Sequence, residues 1–280
     1  MMLPEKAVLA YDFSKSMKKL LERLPDLKRV GVDELFLLHV SDITRSGFHG
    51  QLSKDKSKEK LDGVKEKLQQ MGFSSVEKDV LFGFPSEEIS SYAERKDAMI
   101  LIGSHGRGLI KNVFLGGTAY DIIRKAKTPV FVEQVKSDSI PDKICEKVLI
   151  PTDFSEDSRK MLDLLEESDI PMKEILLLSV IEESESRDEL ESKRSGLESK
   201  LEKVKDRFEE SSLSDDIEYR VEEGAASRVI SSIAESEDVT LICMPKLGGG
   251  GLREVIIGST AKEVTRLSPV PVLLFPREWL

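Results

Sequence analysis

The 280-residue sequence has little cysteine and no long apolar segment, the features that disulfide-stabilised, zinc-binding and membrane-spanning proteins require. Its two cysteines, Cys145 and Cys243, form no Cys-x-x-Cys pair, so we expect neither a disulfide framework nor a cysteine-based zinc site. Residues 1–11 lack the apolar core of a signal peptide. The run Ile175–Ile181 is among the longest apolar stretches and is far too short to cross a membrane. These absences predict a cytoplasmic protein with no membrane partner.

Positive charge is also in deficit. The chain carries 42 basic and 52 acidic residues, which gives a formal net charge of −10. An acidic protein repels a nucleic-acid backbone at long range, so we expect no nucleic-acid partner. A small nucleotide is still compatible with this charge, because a local group of backbone N–H donors can hold a phosphate.

The chain repeats itself. Four landmarks recur in the same order, and the Asp-Phe-Ser triplets that begin at Asp12 and Asp153 are 141 positions apart (153 − 12). The Pro-Val pairs at Pro129 and Pro271 are 142 positions apart (271 − 129). A nearly constant offset over the whole chain indicates a duplicated domain. The matching segments are 7–14 and 148–155, 35–40 and 175–180, 99–102 and 241–244, and 129–132 and 271–274.

Each half alternates short apolar runs with amphipathic patterns. Runs such as Val148–Ile150 are typical of strands buried on both faces, and apolar residues recur at helical spacing between the runs. Strand–helix alternation predicts βαβ units, so the fold class is α/β. We expect two tandem doubly wound domains, residues 1–136 and 145–280, joined by a polar linker at 137–144. Each should hold a five-stranded, mostly parallel sheet flanked by helices. The helical stripes consist of Leu61, Val64, Leu68 and Met71, and of Leu190, Leu197, Leu201, Val204 and Phe208.

An aspartate follows the first strand of each half, at Asp12 and Asp153. In open α/β sheets ligands bind beyond the carboxyl ends of the strands, where these side chains stand. Such a carboxylate accepts a hydrogen bond from an adenine amino group or from a ribose hydroxyl. An equally weighted alternative is that the aspartate, or the serine two residues later, caps the following helix.

A glycine-rich loop follows the fourth strand of each half, over residues 103–119 and 245–261, and leads into a helical pattern. Glycine lets the backbone approach a ligand closely, and the free N–H groups at the start of a helix favour phosphate oxygens. The alternative for a single loop is a flexible surface segment. Two such loops at the mouths of two parallel sheets favour phosphate binding.

The spacing Gly-x2-Gly-x9-Gly-Ser/Thr in these loops is similar to the ATP-binding signature of the universal stress protein family. The aspartate after the first strand and the Pro-Val that opens the last strand match as well, and the resemblance covers nearly the whole chain as two fused family domains. It implies an adenine nucleotide alpha hydrolase-like fold. It also implies a stress-response module that binds ATP or AMP and has a regulatory or protective role.

The resemblance assigns cofactor-binding residues position by position. It assigns adenine or ribose contact to the two aspartates, backbone contact with adenine to the valine that ends each second strand, and phosphate and ribose contact to the loops. In the first half these residues are Asp12, Val40, Gly103, Gly106, Gly116, Gly117 and Thr118. In the second half they are Asp153, Val180, Gly248, Gly258, Ser259 and Thr260.

Each copy departs from the family pattern at one position. Gly117 stands where the family has Ser or Thr, which removes one hydroxyl donor to phosphate. Pro245 stands where the family has its first glycine, and proline has no N–H and a fixed φ. A weaker grip on phosphate would accommodate AMP as well as ATP, and Mg²⁺ could accompany ATP. The sequence assigns no catalytic residue and no metal ligand.

Three other residues are ambiguous in the sequence. His39 lies within an apolar strand, which favours a packed, hydrogen-bonded histidine over a metal ligand. His105 lies inside the first glycine loop and is compatible with phosphate contact or with solvent exposure. Lys246 is a candidate charge partner for phosphate in the second loop.

Three functions are consistent with these motifs. The first is a nucleotide-binding stress-response module, and the second is a slow ATP hydrolase, although we find no Walker-type Gly-Lys-Ser/Thr and no nucleophile–base arrangement. The third is a dimerisation scaffold with degenerate sites. Since family members commonly dimerise through the last strand, the resemblance further implies an internal pseudo-dimer of the two halves and a homodimer of the chain.

Overall fold

A computed structural model of the protein describes most of the chain. The described residues are 4–14, 17–43, 50–105, 115–134, 143–168, 170, 172–184, 186–249 and 257–280, with the backbone alone for 50–54. The chain divides into two compact units, Leu3–Val135 and Lys136–Glu278, which we call the first and second halves. The linker predicted at 137–144 lies outside the described residues except for Lys143 and Ile144.

The first half is a five-stranded parallel sheet with the strand order β3-β2-β1-β4-β5. The first strand lies between the second and the fourth, which is the arrangement of a doubly wound sheet. The strands are β1 (Lys6–Ala10), β2 (Glu34–Asp42), β3 (Ser75–Gly83), β4 (Met99–Gly103) and β5 (Val130–Glu133). The described helices are α1 (Met17–Arg29), α2 (Gly50–Gln70), α3 (Pro85–Lys96) and α4 (Gly117–Lys125).

The second half repeats this architecture with the parallel order β8-β7-β6-β9-β10. The predicted fold class, two tandem α/β domains with five-stranded parallel sheets, is therefore confirmed. The strands are β6 (Lys147–Pro151), β7 (Glu174–Ile181), β8 (Asp216–Glu223), β9 (Leu241–Pro245) and β10 (Val272–Phe275). The described helices are α5 (Glu156–Glu166), α6 (Arg187–Glu210), α7 (Ala226–Ser236) and α8 (Ser259–Leu267).

The middle residues of the central strands β1, β4, β6 and β9 are buried, as expected for a parallel sheet with helices on both faces. The predicted helical stripe of α6 packs on the sheet at its C-terminal end, where Leu201, Val204 and Phe208 are buried. Leu190 and Leu197 are only partly buried, so the stripe contributes less to the core toward the start of the helix.

A buried ion cluster joins α1 to the end of β5 in the first half. The Arg23 guanidinium is fully buried, and its Nε donates to Glu133 Oε2 at 3.0 Å while its Nη1 donates to Asp26 Oδ2 at 3.1 Å. Asp26 also accepts from the exposed Arg29, whose Nη1 lies 2.6 Å from its Oδ1. Burial raises the pKa of Glu133, and Arg23 opposes this rise. The charge on Glu133 therefore depends on the neighbouring guanidinium.

Gly196 is a site where the fold is less stable than the sequence could make it. It lies within α6, and a Cβ added there would meet no atom within 4 Å. Since glycine in a helix interior costs about 0.5–1 kcal/mol relative to alanine, Gly196→Ala should raise the free energy of unfolding by that amount. Urea denaturation measures the change. Gly224→Ala is the opposite control, because Gly224 has a φ of 128° and alanine there should destabilise the protein.

Candidate functional site

The aspartate after the first strand forms the same turn in both halves. The backbone N–H of Ser14 donates to Asp12 Oδ1 at 2.9 Å, and that of Ser155 donates to Asp153 Oδ1 at 2.9 Å. This is an Asx turn, in which a side-chain oxygen takes a backbone donor two residues later. The cap of α5 is Ser155, whose Oγ accepts from the N–H of Ser158. Asp153 is therefore not the helix cap, and its Oδ2 accepts a hydrogen bond from the glycine loop instead.

The phenylalanine inside each turn has a left-handed backbone. Phe13 has a φ of 59° and Phe154 a φ of 56°, and a bulky residue in this region costs roughly 1–3 kcal/mol. A lysine from the long helix lies over each ring, with Lys60 Nζ 5.7 Å from the Phe13 centroid and Lys200 Nζ 5.5 Å from that of Phe154. The repetition of the same strained turn and the same cation–π contact indicates that the turn geometry is a feature of the fold.

A cavity of about 440 Å³ opens at the carboxyl ends of β6, β7 and β9 in the second half. Its size lies within the ordinary range of small-ligand pockets. All six residues predicted for this half line it, namely Asp153, Val180, Gly248, Gly258, Ser259 and Thr260. Its apolar walls include Leu178, Ile230, Met244, Leu247 and Ile257.

The start of α8 forms one end of this cavity. Gly258 is the helix N-cap, and Ser259 and Thr260 are the first two helical residues. A Cβ on Gly258 would lie 3.4 Å from the carbonyl oxygen of Lys246, and the Gly258 N–H donates to that oxygen at 2.9 Å. The two ends of the glycine loop, at Lys246 and Gly258, are therefore in direct contact. Two hydroxyls and the first N–H groups of a helix form an end of the cavity that suits an anion.

The Asp153 carboxylate links the strand end to the glycine loop. Its Oδ2 accepts from the Gly249 N–H at 3.0 Å, and its Oδ1 accepts from Ser158 Oγ at 2.6 Å as well as from the Ser155 N–H. Partial desolvation raises the pKa of Asp153, but the hydrogen bonds from Ser155, Ser158 and Gly249 outweigh it, so the pKa lies below its ordinary value. The side chain is therefore an ionised acceptor at neutral pH.

This carboxylate should stabilise the fold at neutral pH and lose that effect in acid. Because the pKa of Asp153 is lower in the folded protein than the ordinary value of about 3.9, the unfolded chain binds more protons as the pH falls. The stabilisation is present above the ordinary pKa and disappears as the pH falls through the folded pKa. We expect the difference in unfolding free energy between wild type and Asp153→Asn, measured with urea from about pH 7 to about pH 3, to shrink in acid. A constant difference would contradict this linkage.

Three lining residues with polar side chains, Thr152, Ser158 and Glu182, were not identified as site residues from the sequence. Thr152 and Ser158 are buried at the cavity, and Glu182 Oε1 accepts from the N–H of Ala226, the first residue of α7. Ser158 lies one helical turn beyond the Asx turn, and that spacing was the only available signal. The sequence gives no sign that the side chain of Glu182 returns to the start of α7.

The first half places its described site residues in the same way. Gly116 is the N-cap of α4, and its N–H donates to the carbonyl oxygen of Ser104 at 2.9 Å, the counterpart of the bond from Gly258 to Lys246. The described site residues lie at the strand ends and at the start of α4, and they are Asp12, Val40, Gly103, Gly116, Gly117 and Thr118. Gly106 lies outside the described residues.

The ambiguous residues resolve differently. His39 Nδ1 donates to the carbonyl oxygen of Tyr11 at 2.7 Å and its ring packs on Phe13, as expected for a packed histidine. His105 Nδ1 lies 3.1 Å from Ser104 Oγ. Lys246 is only 3% exposed, and burial lowers the pKa of its ammonium group. It is not among the described lining residues of the cavity, so the structure does not support its predicted role beside phosphate.

The model of the universal stress protein family matches the chain twice, over residues 4–133 and 145–276. The chain belongs to the universal stress protein family. The universal stress protein MJ0577 of Methanocaldococcus jannaschii is 27% identical over an alignment of 157 residues that covers 48% of this chain and 96% of that protein. The universal stress protein Mb2028c of Mycobacterium bovis is 26% identical over 215 residues, 71% of this chain and 68% of that protein.

Among solved structures, a universal stress protein from Archaeoglobus fulgidus superposes with a TM-score of 0.73 and 25% identity, and covers 98% of both chains. Within the described residues of this universal stress protein, no helix is long and apolar enough to cross a membrane. The same residues hold no group of three or more His, Cys, Asp or Glu side chains arranged to bind a metal ion.

Proposed function

We propose that this universal stress protein binds an adenine nucleotide, ATP or AMP, in each half and acts as a regulatory or protective module in a stress response. One observation carries the proposal: six residues assigned from the family signature surround a single cavity in the second half. The stress-response role follows from membership of the family.

In the second half, the lining of the cavity offers partners for each part of a nucleotide. Asp153 provides an ionised acceptor for an adenine amino group or a ribose hydroxyl, and it stands beside Val180. The apolar walls suit a purine ring. The phosphates belong at the start of α8, at Gly258 and the hydroxyls of Ser259 and Thr260, and at Gly248, the loop glycine that lies beside Asp153. Any Mg²⁺ would arrive with the phosphates of ATP.

In the first half, the corresponding binding residues are proposed by equivalence. Asp12 and Val40 would hold the base and ribose, and the loop after β4 would hold the phosphates. The loop positions are Gly103, Gly106, Gly116, Gly117 and Thr118. Since Gly117 has no hydroxyl, we expect the first half to hold phosphate with one donor fewer than the second half.

Native mass spectrometry of freshly purified protein tests the proposal directly, because a co-purified nucleotide reports both its identity and its stoichiometry. Calorimetry with AMP, ADP and ATP, each with and without Mg²⁺, then ranks the ligands. Protein that carries no nucleotide and gives no heat with any of the three at millimolar concentration would refute nucleotide binding and favour the scaffold. Steady conversion of ATP to ADP that Asp12→Ala or Asp153→Ala abolishes would favour the hydrolase instead.

We also propose that the two halves pair as an internal pseudo-dimer, that two chains form a homodimer, and that the protein acts in the cytoplasm without a nucleic-acid or membrane partner. Family resemblance and the acidic net charge of −10 support these assignments. Small-angle scattering tests the internal pairing, and two flexibly tethered lobes would refute it. Light scattering gives the number of chains in the assembly.

A further inference from the structure

A chain of hydroxyl groups leads to the Asp153 carboxylate. Ser155 Oγ donates to Ser158 Oγ at 3.1 Å, and Ser158 Oγ donates to Asp153 Oδ1 at 2.6 Å. Ser158 is 2% exposed and lines the cavity. Because Ser158 also donates its backbone N–H to Ser155 Oγ, the two serines hold each other in place.

The hydroxyl chain restrains the orientation of the Asp153 carboxylate, so that one of its oxygens faces the glycine loop. The terminal torsion of an aspartate is broad and roughly two-fold, so one bond to the carboxylate restrains it only weakly. Here Oδ1 accepts from both the Ser155 N–H and Ser158 Oγ, and Oδ2 is directed to the Gly249 N–H. With two donors on one oxygen, the other oxygen is presented to the loop side of the cavity in one orientation.

The first half lacks the middle member of this chain. The residue that corresponds to Ser158 at the offset of 141 is Met17 (158 − 141), which is buried in α1. A thioether has no hydrogen to donate, so Met17 cannot orient Asp12 as Ser158 orients Asp153. The two halves therefore share the Asx turn and differ in the side chain at this one position, a serine in the second half and a methionine in the first.

We propose that Ser158 is a positioning residue for ligand recognition in the second half. By holding Asp153 Oδ1, it keeps Oδ2 in place to accept a hydrogen bond from the nucleoside part of the ligand. Ser158 thereby sets how strongly the second half discriminates against nucleosides that lack the donor. This inference rests on the proposed nucleotide binding, and it concerns a residue that the family signature does not assign.

Calorimetry with AMP tests the proposal, using Asp12→Ala as the background so that binding in the second half dominates. Two analogues separate the donors: 2′,3′-dideoxy-AMP lacks the ribose hydroxyls, and purine riboside monophosphate lacks the adenine amino group. In the background protein, the analogue that lacks the group donating to Asp153 should bind less tightly than AMP. Adding Ser158→Ala should raise the dissociation constant of AMP about two- to tenfold, which corresponds to the net contribution of one ordinary hydrogen bond. It should also reduce the difference in affinity between AMP and that analogue.

Two further variants separate positioning from general packing. Ser158→Thr keeps the hydroxyl and should restore both affinity and discrimination. Ser231→Ala is the matched control, because Ser231 Oγ is buried without a hydrogen-bond partner in the described part of α7 and does not line the cavity. Its AMP affinity should equal that of the background. If Ser158→Ala fails to fold, Ser158→Cys, which retains the shape but is a weak donor, provides the same comparison.

Unchanged AMP affinity and unchanged analogue ratios in the folded Ser158→Ala or Ser158→Cys protein would overturn the proposal. So would an equal loss for AMP and both analogues, since that indicates altered packing instead of a misplaced acceptor. These outcomes differ from failure of the proposed function, in which the wild-type protein itself binds no AMP, ADP or ATP.

Discussion

Asp153→Ala should weaken binding of adenine nucleotide in the second half by roughly ten- to a hundredfold, because a hydrogen bond to a charged group contributes about 1.5–3 kcal/mol. Its carboxylate is ionised at neutral pH and stands at the wall of the cavity. The variant also removes the acceptor of the Gly249 N–H, so the glycine loop loses its tie to the strand end. Calorimetry in the Asp12→Ala background gives the dissociation constant.

Asp163→Ala is the matched control for this loss. Asp163 lies on α5 in the same half, its side chain is 58% exposed, and it pairs with Arg207 on the surface. Removing such a pair should leave the nucleotide affinity unchanged. Asp153→Asn should fall between alanine and wild type, since it keeps an acceptor but not the charge. Equal affinities for wild type and Asp153→Ala would show that this aspartate does not contact the ligand.

Arg23→Met should lower the free energy of unfolding of the first half by about 3–5 kcal/mol, the usual cost of leaving one member of a buried ion pair without its partner. Arg23 is fully buried between Glu133 and Asp26, and methionine fills the space without replacing the charge. Because burial raises the pKa of Glu133 and Arg23 opposes that rise, Glu133 should take up a proton more readily in the variant than in the wild type. The loss of stability should therefore be larger at neutral pH than near pH 4, where Glu133 is closer to neutral in both the folded and the unfolded protein.

Arg29→Met provides the comparison on the same helix. Arg29 contacts Asp26 as well, but its side chain is 65% exposed, so its loss should cost no more than about 1 kcal/mol. Urea denaturation followed by a probe in the first half measures both variants. If Arg23→Met is as stable as Arg29→Met, the buried cluster contributes nothing to stability.

Much of the fold could be predicted because its signals are local and duplicated. Strands such as β6 and β9 are short apolar runs, and α8 begins within a Gly-Ser-Thr segment whose glycine is the N-cap. A single glycine loop would be weak evidence for a site. Its recurrence after the equivalent strand pointed to the strand ends of the second half, where the six predicted residues line the cavity.

The features that the sequence did not reveal depend on distant contacts. Arg23 and Glu133 are 110 positions apart, and nothing local shows that both are buried in contact. The ring of Phe154, whose backbone is left-handed, lies against Lys200, which is 46 positions away on α6 (200 − 154). Lys246 follows a strand like a surface residue, yet it is buried, and nothing local in the sequence indicates this burial.

The contact between Asp153 Oδ2 and the Gly249 N–H gives one oxygen two roles. A ligand donor that reaches this oxygen must share it with the backbone of the loop, so filling the cavity and the position of Gly249 are thermodynamically linked. By reciprocity, a molecule whose affinity for this loop depends on the position of Gly249 would alter the affinity for the ligand, and the ligand would alter that molecule's affinity by the same factor. The Asp153 carboxylate thus couples occupancy of the cavity to the position of Gly249, a residue exposed at the protein surface.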